Sequence, residues 1–584
     1  MTEDDKKRLL DLAQLNPDVN PHVIKALYHR GVNTQEKINE FFNNDLSKIG
    51  SAREFSGCDV MIDELVRIKE NDELLVIMSD YDCDGSCGSS ISYLALTEMG
   101  YRVHHHVNTR EVGYGLKVES VNIIKQLYPE VTAILTVDNG ITSFEAVDYA
   151  NQLGIKVLIT DHHKSEGGNL PNAKAIVNPN KFGCTSKTKN NCGAIIAWKV
   201  MLELSKVLGR DDLKDFMYDL LDLGAIATVA DQMTLLGDNR LIVRHGLKLL
   251  NRRSRFSLAV IMDAAGIQEV TAETIGFYIG PLINAVNRMG ADVNVLIKTL
   301  VSDYDNKQDI QNFANLMVSL NNLRKSETSE ALEKIYSEID VKIEEALFRG
   351  EPNPLDNVLI VYNETLPEGI VGIIASNLME RYSRPAVVLT KTKDGIIKGS
   401  ARSISPLNIK SLFDEISDVF LSYGGHEFSA GLSFKDYNDF LLFKIKVYEK
   451  TADINPNDFN KLVYVDVILH GKLNDLNVCT MFDCMEPFGN GFVKPRFMYR
   501  DFTVDWVNTN FNKAKSPYVG KDGKTLRLVD ANKLTAIMFK YADKFKALGE
   551  PNVLNMIGKP IINEFKGFRS IQFQVEEDYI IRVK

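Results

Sequence analysis

Short apolar runs alternate with helical stretches in the middle of the chain, at LLVIM 74–78, AILTV 133–137 and KVLIT 156–160. Each run is long enough for one buried strand, and apolar residues at helical spacing predict helices near 87–99 and 143–153 between them. Continuous apolar strands that are joined by helices are typical of a parallel sheet covered on both faces. The pattern therefore predicts an α/β domain built on a parallel sheet.

A long helix and a second α/β unit are predicted further along the chain. The segment 311–348 contains neither Gly nor Pro and repeats apolar residues at helical spacing, which favours one long connecting helix. A boundary rich in Gly and Pro follows at 350–354. Beyond it come NVLIVYN at 357–363, a helical stretch near 370–380, AVVLT at 386–390 and the Gly-rich SYGGHEFSAG at 422–431. This order predicts a second α/β domain.

The two ends of the chain depart from this pattern. The first 55 residues place apolar residues at helical spacing, as in Val23 and Leu27, and predict a small packed helical segment. The last part is rich in β-branched and aromatic residues with turns such as Lys521-Asp522-Gly523, which favours a small β-barrel. We therefore divide the chain into five parts at residues 1–55, 56–310, 311–350, 351–485 and 486–584.

Composition narrows the class of protein. The 584 residues are 45% hydrophobic and 25% charged, as in ordinary globular proteins. No apolar run approaches the roughly 20 residues of a membrane span, and the acidic start MTEDDKKRLLDL lacks a secretory pattern, so we expect a cytoplasmic protein without a membrane segment. The 7 cysteines include no C-x-x-C pair, which favours reduced thiols. The net charge of −10 does not decide the partner, because basic residues can be confined to a groove.

The strongest chemical signal is the position of acidic residues and histidines after the predicted strands, in SDYDCDG at 79–85, TVDNG at 136–140 and LITDHH at 158–163. The carboxyl ends of parallel strands converge on one crevice, so these clusters should meet there. Alternating aspartates repel one another, and hard divalent cations would offset that repulsion. Any one cluster alone would favour a solvated turn. Three at corresponding strand ends favour a site for two metal ions, which could clamp a phosphodiester.

A second group of histidines, His104-His105-His106, lies on a predicted strand rather than after one. Alternate residues of a strand face opposite sides of the sheet, so three consecutive rings are poorly placed to share one ion. We expect these histidines to be buried or solvated and not to bind a metal.

The acidic motifs resemble a known superfamily. Together with LDLGAIATVAD at 221–231, they are similar, in order, to the four metal-binding motifs of the DHH phosphoesterases. Further segments resemble the RecJ exonucleases within that superfamily: REVGYGL at 110–116, CGAIIAWKV at 192–200, GDNRLIVRHGL at 237–247, GPLINAVNRMG at 280–290, LPEGIVGIIASNLMERYSRPAVVL at 366–389, KGSARSI at 398–404, GGHEFSAG at 424–431 and EPFGNG at 486–491. The resemblance covers nearly the whole chain.

The resemblance implies a fold and an activity. It implies a parallel-sheet DHH catalytic domain, a second α/β DHH-associated domain joined by a long helix, and an oligonucleotide-binding (OB-like) barrel. The implied activity is metal-dependent hydrolysis of single-stranded DNA from the 5′ end to 5′-mononucleotides, in repair, recombination or replication. Single-stranded DNA is the expected partner, single-strand-binding protein and other replication or recombination proteins are candidate partners, and we expect a monomer.

The family also implies roles for particular residues. One ion, Mn²⁺ or Mg²⁺, would be held by Asp80, Asp82 and Asp138, and the second by Asp84, Asp138, His162 and Asp231, with Asp138 bridging. His163 would face the substrate phosphate and act with these ligands in catalysis, and Asp161 would orient a ligand. The residues implied in substrate binding are Arg110, Tyr114, His163, Arg288, Ser400, Arg402 and His426.

Two features of the sequence leave alternatives open. Leu282 and Asn287 stand where RecJ proteins often have arginine and glycine, so phosphate contacts in that loop could be supplied differently. In the tail, aromatic and basic residues interleave and could stack bases and attract phosphates, or the aromatics could form the barrel core: Tyr499, Phe502, Trp506, Phe511, Lys513, Lys515, Lys521, Lys524 and Arg527.

Two other functions compete with the exonuclease. A DHH phosphodiesterase for very short oligonucleotides or cyclic dinucleotides would share the metal chemistry but would not need a nucleic-acid-binding barrel. A non-catalytic replication scaffold would have lost metal ligands, whereas every carboxylate and histidine of the core motifs is present here.

Overall fold

The structure is a computed structural model that describes residues 2–109, 112–165, 168–351, 354–459, 463–473, 475–509, 517–520, 523–565 and 567–582. The chain divides into two compact units. The first unit comprises Met1–Ile49, Gln232–Arg244 and Val463–Lys584, and the second comprises Gly50–Asp231 and His245–Leu462. Among the described residues, no helix is both long and apolar enough to cross a membrane.

The chain begins with helices, as the periodicity predicts. They are α1 (Glu3–Leu15), α2 (Pro21–His29), α3 (Gln35–Phe42) and α4 (Cys58–Glu70). The side chains of Thr2, Asn20 and Thr34 accept backbone N–H groups at the starts of α1 to α3 and satisfy donors that have no partner within the helix.

The first α/β domain contains the predicted parallel sheet. Its elements are β1 (Leu74–Ser79), α5 (Cys83–Glu98), β2 (Arg102–Val107), α6 (Val118–Leu127), β3 (Val131–Val137), α7 (Phe144–Gln152), β4 (Lys156–Thr160) and β5 (Ala175–Val177). The strand order is β2-β1-β3-β4-β5 and every pairing is parallel. The predicted α/β fold class is therefore confirmed, and the carboxyl ends of β1, β3 and β4 lie side by side.

Helices complete this domain and connect it to the next. They are α8 (Gly193–Val207), α9 (Lys214–Asp219), α10 (Leu221–Ala230), α11 (Gly237–Asn251), α12 (Phe256–Ala264), α13 (Ala272–Thr274), α14 (Gly280–Arg288), α15 (Val293–Leu300) and the long α16 (Lys307–Phe348). A π-helical turn, Ile275–Ile279, precedes α14. The predicted long helix is present and begins four residues before the predicted start at 311.

The second α/β domain is a mixed sheet with helices. It consists of β6 (Leu359–Tyr362), α17 (Val371–Tyr382), β7 (Ala386–Lys391), β8 (Ile397–Arg402), α18 (Ile409–Glu415), β9 (Ser422–His426), β10 (Ser429–Phe434) and α19 (Tyr437–Thr451). The order is β6-β7-β8-β10-β9, with β6 and β7 parallel and the other pairs antiparallel.

The last part forms the predicted β structure. Its elements are β11 (Val467–Leu469), α20 (Asn477–Thr480), β12 (Phe497–Thr503), α21 (Trp506–Thr509), β13 (Tyr518–Val519), β14 (Thr525–Val529), β15 (Thr535–Met538), α22 (Ala542–Ala547), β16 (Val553–Phe565) and β17 (Phe568–Arg582). The strands form one sheet in the order β11-β12-β16-β17-β15-β14-β13.

The N-terminal helices share a hydrophobic core with this β structure. Leu27 and Phe41 lie in the same buried cluster as Phe492, Tyr499 and Phe502. The guanidinium of Arg240 lies 3.7 Å from the centroid of the Phe41 ring, and it donates to the carbonyl oxygens of Phe41, Pro487 and Glu486.

The aromatic residues of the tail divide between core and surface. Tyr499 and Phe502 are core residues and do not offer a face to a nucleic-acid base. Trp506 is half-buried, and its indole N–H donates to Asn552. Lys524 is exposed and Arg527 half-buried, whereas Phe511, Lys513, Lys515 and Lys521 lie outside the described residues.

Candidate metal and phosphodiester site

The segment after β1 folds into a tight turn that presents its aspartates. Asp82 is the N-cap of α5, where its side chain accepts the Gly85 N–H at 3.0 Å. Asp84 lies in the first turn of α5 and is buried. A Cβ at Gly85 would overlap the backbone of Asp80, so glycine is needed for the turn to close.

Asp84 is held from outside its own helix. Its two carboxylate oxygens accept the N–H groups of Gly193 and Ala194, at 2.7 and 2.9 Å, at the start of α8. Helix N-termini favour anions, so the start of α8 holds this carboxylate in a fixed position. The CGAII segment of the sequence therefore positions an acidic residue.

Asp138 follows β3 in a conformation that is uncommon for a residue with a side chain. Its φ is +62°, in the left-handed region, where Asp and Asn are the most tolerated residues after glycine. A Cβ at Gly193 would clash with the Asp138 side chain, so α8 can approach only because position 193 is glycine. The bend directs the Asp138 carboxylate toward the ends of β1 and β4.

Asp161 after β4 orients the two histidines that follow it. Its Oδ1 accepts the N–H groups of His162 and His163 at 2.7 and 3.0 Å, and lies 2.7 Å from the His163 Nδ1. Its Oδ2 accepts the Ile141 N–H at 3.0 Å. Burial alone would raise the pKa of Asp161, but the bonds and charge of His163 hold that pKa below its ordinary value. Asp161 is a positioning residue in this arrangement.

Two asparagines after β5 hold the histidine segment from the other side. The Asn180 side chain donates to the His162 carbonyl oxygen at 2.6 Å, and the Asn178 side chain donates to the His163 carbonyl oxygen at 2.9 Å. Sequence reasoning did not single them out. They follow a strand of the same sheet in VNPN, so the strand-end rule that identified the aspartates would also have found them.

His162 lies at the centre of the cluster. Its Nε2 is 3.1 Å from Asp138 Oδ1, 3.6 Å from Asp231 Oδ2 and 3.9 Å from Asp84 Oδ2. Burial lowers the pKa of His162, which favours the neutral imidazole that a metal requires.

Three groups of side chains bring their ligand atoms within 4.8 Å of one another: Asp80, Asp82 and Asp138; Asp84, His162 and Asp231; and Asp138, His162 and His163. The first group has the same residues as the first implied ion site. The second group contains three of the four residues of the second implied site and lacks Asp138, which lies in the other two groups. The structure therefore brings together all the side chains that the sequence assigns to the metal centre.

The electrostatics of this cluster fit divalent cations. Burial and then neighbouring carboxylates raise the pKa of Asp80, Asp82 and Asp138, and the same causes raise the pKa of Asp231 to about 9. Oδ1 of Asp80 and Oδ2 of Asp231 are buried and accept no hydrogen bond from any described residue. Unsatisfied buried oxygens that repel one another are stabilised by hard cations, so oxygen and imidazole donors fit Mn²⁺ or Mg²⁺.

His163 has the opposite electrostatic character. Burial alone would lower its pKa, but the hydrogen bond and charge of Asp161, with the other carboxylates, raise that pKa to about 9. The Tyr114 hydroxyl lies 3.3 Å from the His163 Nε2 and 3.4 Å from the Asp138 carbonyl oxygen. Tyr114 is thus brought to the site, whereas Arg110 lies outside the described residues.

The second α/β domain contributes residues to the same crevice. The rings of His163 and His426 are stacked, with centroids 6.4 Å apart and an interplanar angle of 11°. On β8, two strands away from the β9 strand that carries His426, Arg402 donates to the Ser400 hydroxyl at 2.8 Å.

The segment PEGIVG at 367–372 lies against both Arg288 and Arg402, two of the predicted substrate-binding residues. A Cβ at Gly369 would overlap the Arg288 carbonyl oxygen. A Cβ at Gly372 would lie 3.2 Å from the Ser400 hydroxyl and 3.3 Å from Nη2 of Arg402. Arg288, Ser400 and Arg402 therefore border the same short segment, and the glycines permit this close approach.

The histidines of β2 are placed differently. His104 is exposed and stacks on Tyr128 at 4.6 Å, whereas His105 and His106 are half-buried and buried. Burial lowers the pKa of His105 to about 4 and also lowers the pKa of His106. Within the described part of the chain, none of the three belongs to a group with metal-ligand spacing.

Family models agree with the order of the domains. The DHH family N-terminal domain matches residues 74–228, the DHHA1 domain matches 355–451 and the RecJ OB domain matches 465–577. With the parallel sheet and its carboxylate edge, these matches define a DHH phosphoesterase with an associated OB domain.

The relatives narrow this class. The single-stranded-DNA-specific exonuclease RecJ of Haemophilus influenzae is 30% identical over 542 residues, covering 90% of each chain. The protein of the same name from Escherichia coli is 29% identical and covers 98% of each chain. This chain therefore belongs to the RecJ family, as the motifs predict.

Solved structures agree in fold. The crystal structure of RecJ in complex with Mn²⁺ from Thermus thermophilus matches with a TM-score of 0.78 at 23% identity, over 97% of this chain and 76% of that chain. The crystal structure of exonuclease RecJ bound to manganese matches with a TM-score of 0.57 at 26% identity, over 69% of this chain and 96% of that chain.

Proposed function

We propose that this protein hydrolyses single-stranded DNA from the 5′ end and releases 5′-mononucleotides, in DNA repair, recombination or replication. The observation that carries the proposal is the stacking of the His426 ring of the second domain on the His163 ring, beside the carboxylate cluster. A cluster that would bind cations, with the two histidine rings beside it, suits a phosphodiester with its negative charge.

We assign two divalent ions to the cluster. Asp80, Asp82 and Asp138 would hold one, and Asp84, Asp138, His162 and Asp231 would hold the other. Such a pair supplies Lewis-acid stabilisation of the phosphate oxygens and activation of water. The protein contributes the fixed geometry, because α8, Asp161, Asn178 and Asn180 hold the ligands and their backbone in place.

His163 is proposed to contact the scissile phosphate. Asp161 accepts from its Nδ1, so the other ring nitrogen, beside the Tyr114 hydroxyl, can donate to a phosphate oxygen when the ring is protonated. Tyr114 and His426 flank this ring and limit its rotation.

The end of the DNA is proposed to bind at Ser400, Arg402 and Arg288. Arginine matches a terminal phosphate because its planar fork can donate two parallel hydrogen bonds. If the metals lie one nucleotide further along the strand, attack by water leaves a phosphate on the new 5′ end. Each cut then regenerates the end that the pocket recognises.

The OB domain is proposed to add affinity for longer strands, with exposed basic residues such as Lys524 attracting phosphates. We also propose that the chain is organised in five parts, at residues 1–55, 56–310, 311–350, 351–485 and 486–584. Single-strand-binding protein is a candidate partner that would present the DNA to the enzyme.

The test uses single-stranded DNA labelled at either end, with RNA and a trinucleotide as comparisons, in Mn²⁺, Mg²⁺ or EDTA. We expect a 5′ label to appear first in mononucleotides while a 3′ label marks a shortening ladder, and EDTA to stop the reaction. Shortening from the 3′ end would overturn the polarity. Cleavage of the trinucleotide without cleavage of long strands would favour a phosphodiesterase for short oligonucleotides instead.

A further inference from the structure

One helical face runs alongside the residues of the metal centre. It belongs to the π-helical turn Ile275–Ile279 and the helix α14 that continues it. A Cβ at Gly276 would lie 3.7 Å from the Val229 side chain, and one at Gly280 would lie 3.0 Å from Ala230. Val229 and Ala230 directly precede Asp231, so the two glycines seat the π-helical turn beside a proposed metal ligand.

The same face continues along α14. Asn284, one turn beyond Gly280, accepts the Cys83 N–H at 2.9 Å, between the aspartates at positions 82 and 84. Arg288 lies one further turn along, at the end of the helix, next to Gly369. The helical run therefore extends from Asp231, past the first aspartate motif, to the proposed pocket for the 5′ phosphate. The distance from Gly276 to Arg288 is about 18 Å at 1.5 Å per residue.

Two large aromatic side chains lie exposed at the Asp231 end of this run. Phe277 is 71% exposed and Tyr278 is 56% exposed. The Lys325 ammonium lies 6.0 Å from the centroid of the Tyr278 ring. Adjacent exposed aromatics on a π-helical turn are not explained by core packing, and such turns occur frequently at functional sites.

We infer that Phe277, Tyr278 and Lys325 form a stacking platform for bases of single-stranded DNA on the 3′ side of the scissile phosphate. The inference rests on the proposed function, which places the 5′ phosphate at the Arg288 end of the same helix. A strand that enters the metal centre from the opposite end passes the platform. Aromatic faces accept any base, and the lysine attracts the backbone, so the platform fits a substrate without a preferred sequence.

Variants at the platform can be matched to a control elsewhere in the chain. Phe277→Leu and Tyr278→Leu retain apolar bulk but remove the ring, whereas Tyr278→Phe retains the ring. Tyr304 is the control, because it is 65% exposed and has the Lys307 ammonium 5.6 Å from its ring centroid, yet it packs on Phe256. Tyr304→Leu therefore removes an equivalent exposed ring and cation contact outside the π-helical turn.

The first measurement is steady-state hydrolysis of a long strand and of a trinucleotide. We expect the double variant Phe277→Leu with Tyr278→Leu to raise KM for the long strand about tenfold. We expect kcat and trinucleotide cleavage to change less than about twofold, because no ligand of the metal centre is altered. Tyr278→Phe and Tyr304→Leu should match the unaltered protein. An unchanged KM for the long strand, or an equal loss on both substrates, would overturn the inference.

The second measurement separates this inference from the proposed function. Strands carry 2-aminopurine at successive positions from the 5′ end and are bound in EDTA, so that no hydrolysis is needed. We expect stacking to quench the fluorophore at one or two internal positions, and the double variant to abolish that quenching. Equal quenching in the double variant would overturn the platform, even if the strand is hydrolysed as proposed. If the unaltered protein quenches the fluorophore in EDTA but does not hydrolyse the strand when Mn²⁺ or Mg²⁺ is present, the platform is supported and the proposed function is refuted.

Discussion

Two strands of the catalytic sheet bring histidines into different surroundings. On β2, His104, His105 and His106 lie within the strand. After β4, His162 and His163 follow the end of the strand. Burial, with the charges of His104 and His106, lowers the pKa of His105 to about 4, whereas the bond and charge of Asp161 raise the pKa of His163 to about 9. Position relative to the strand end, and not residue type, separates the two sets.

The comparison explains why one set can take part in chemistry. Residues after a strand share an edge with the ends of neighbouring strands, so His162 meets Asp138. The end of helix α10 brings Asp231 to the same edge. Residues within a strand alternate between faces and pack against helices or lie in solvent. Variants in both sets test this difference between the metal-site cluster and the β2 histidines. The metal-site cluster is Asp80, Asp82, Asp84, Asp138, His162, His163 and Asp231.

The largest effect is expected for Asp138→Asn. Asparagine tolerates the left-handed backbone at this position, so the fold should persist while the bridging charge is lost. The loss of several kcal/mol of transition-state stabilisation corresponds to about a thousandfold fall in kcat. Initial rates on single-stranded DNA, with circular dichroism as the control for folding, measure this effect. A folded variant with more than a tenth of the original activity would contradict the assigned cluster.

A smaller effect is expected for Arg402→Ala in the proposed end pocket. The loss of charge-assisted hydrogen bonds should raise KM for a 5′-phosphorylated strand roughly thirtyfold and change KM for an unphosphorylated strand much less. Arg381, which pairs with Asp340, serves as a matched control through Arg381→Ala. If Arg402→Ala raises KM equally for the phosphorylated and the unphosphorylated strand, the residue does not recognise the terminal phosphate.

Asn180→Ala tests the support of the histidine segment. Without the bond to the His162 carbonyl oxygen, the imidazole should be less well oriented, and we expect kcat to fall about tenfold at saturating metal. Asn151 makes the same kind of side-chain bond to the Asn172 carbonyl oxygen, so Asn151→Ala is the control. Equal activities of the two variants would show that this support is not needed.

The smallest effect on activity is expected for His105→Leu, which should stay within about twofold of the unaltered protein. Because His105 has a folded-state pKa of about 4, the unfolded chain binds the proton first as the pH falls from about 6.5, and stability declines over that window. The leucine variant should therefore lose less thermal stability between pH 6.5 and pH 4.5. A steeper decline than in the unaltered protein would contradict the assigned pKa.

The catalytic sheet was largely predictable because its signals are local. Apolar runs predict β1, β3 and β4, and the residues directly after these strands include most of the candidate metal ligands. The support of Asp84 by α8 was not predictable, because it joins segments that only the fold brings together. The packing of the N-terminal helices with the OB domain is non-local in the same way, since Phe41 meets Phe492.

The aromatic residues of the barrel illustrate a further limit. Strand alternation would place Tyr499 and Phe502 on opposite faces of β12. The pairing of β12 with β16 shifts register between these residues, and both side chains are buried. Composition alone does not distinguish a base-stacking residue from a core residue at either position. The irregular pairing of β12 is what buries both side chains.

Manganese binding shows whether the cluster of aspartates and histidines holds two ions that share Asp138. Titration of the metal-free protein with Mn²⁺, followed by electron paramagnetic resonance, reports the number of bound ions and whether they are close together. We expect two coupled ions in the unaltered protein and in a variant with His104, His105 and His106 replaced by alanine. We expect Asp138→Asn to lose the coupled pair. Retention of both ions in Asp138→Asn, with loss of an ion from the triple-histidine variant, would show that the β2 histidines bind metal and that Asp138 does not bridge two ions.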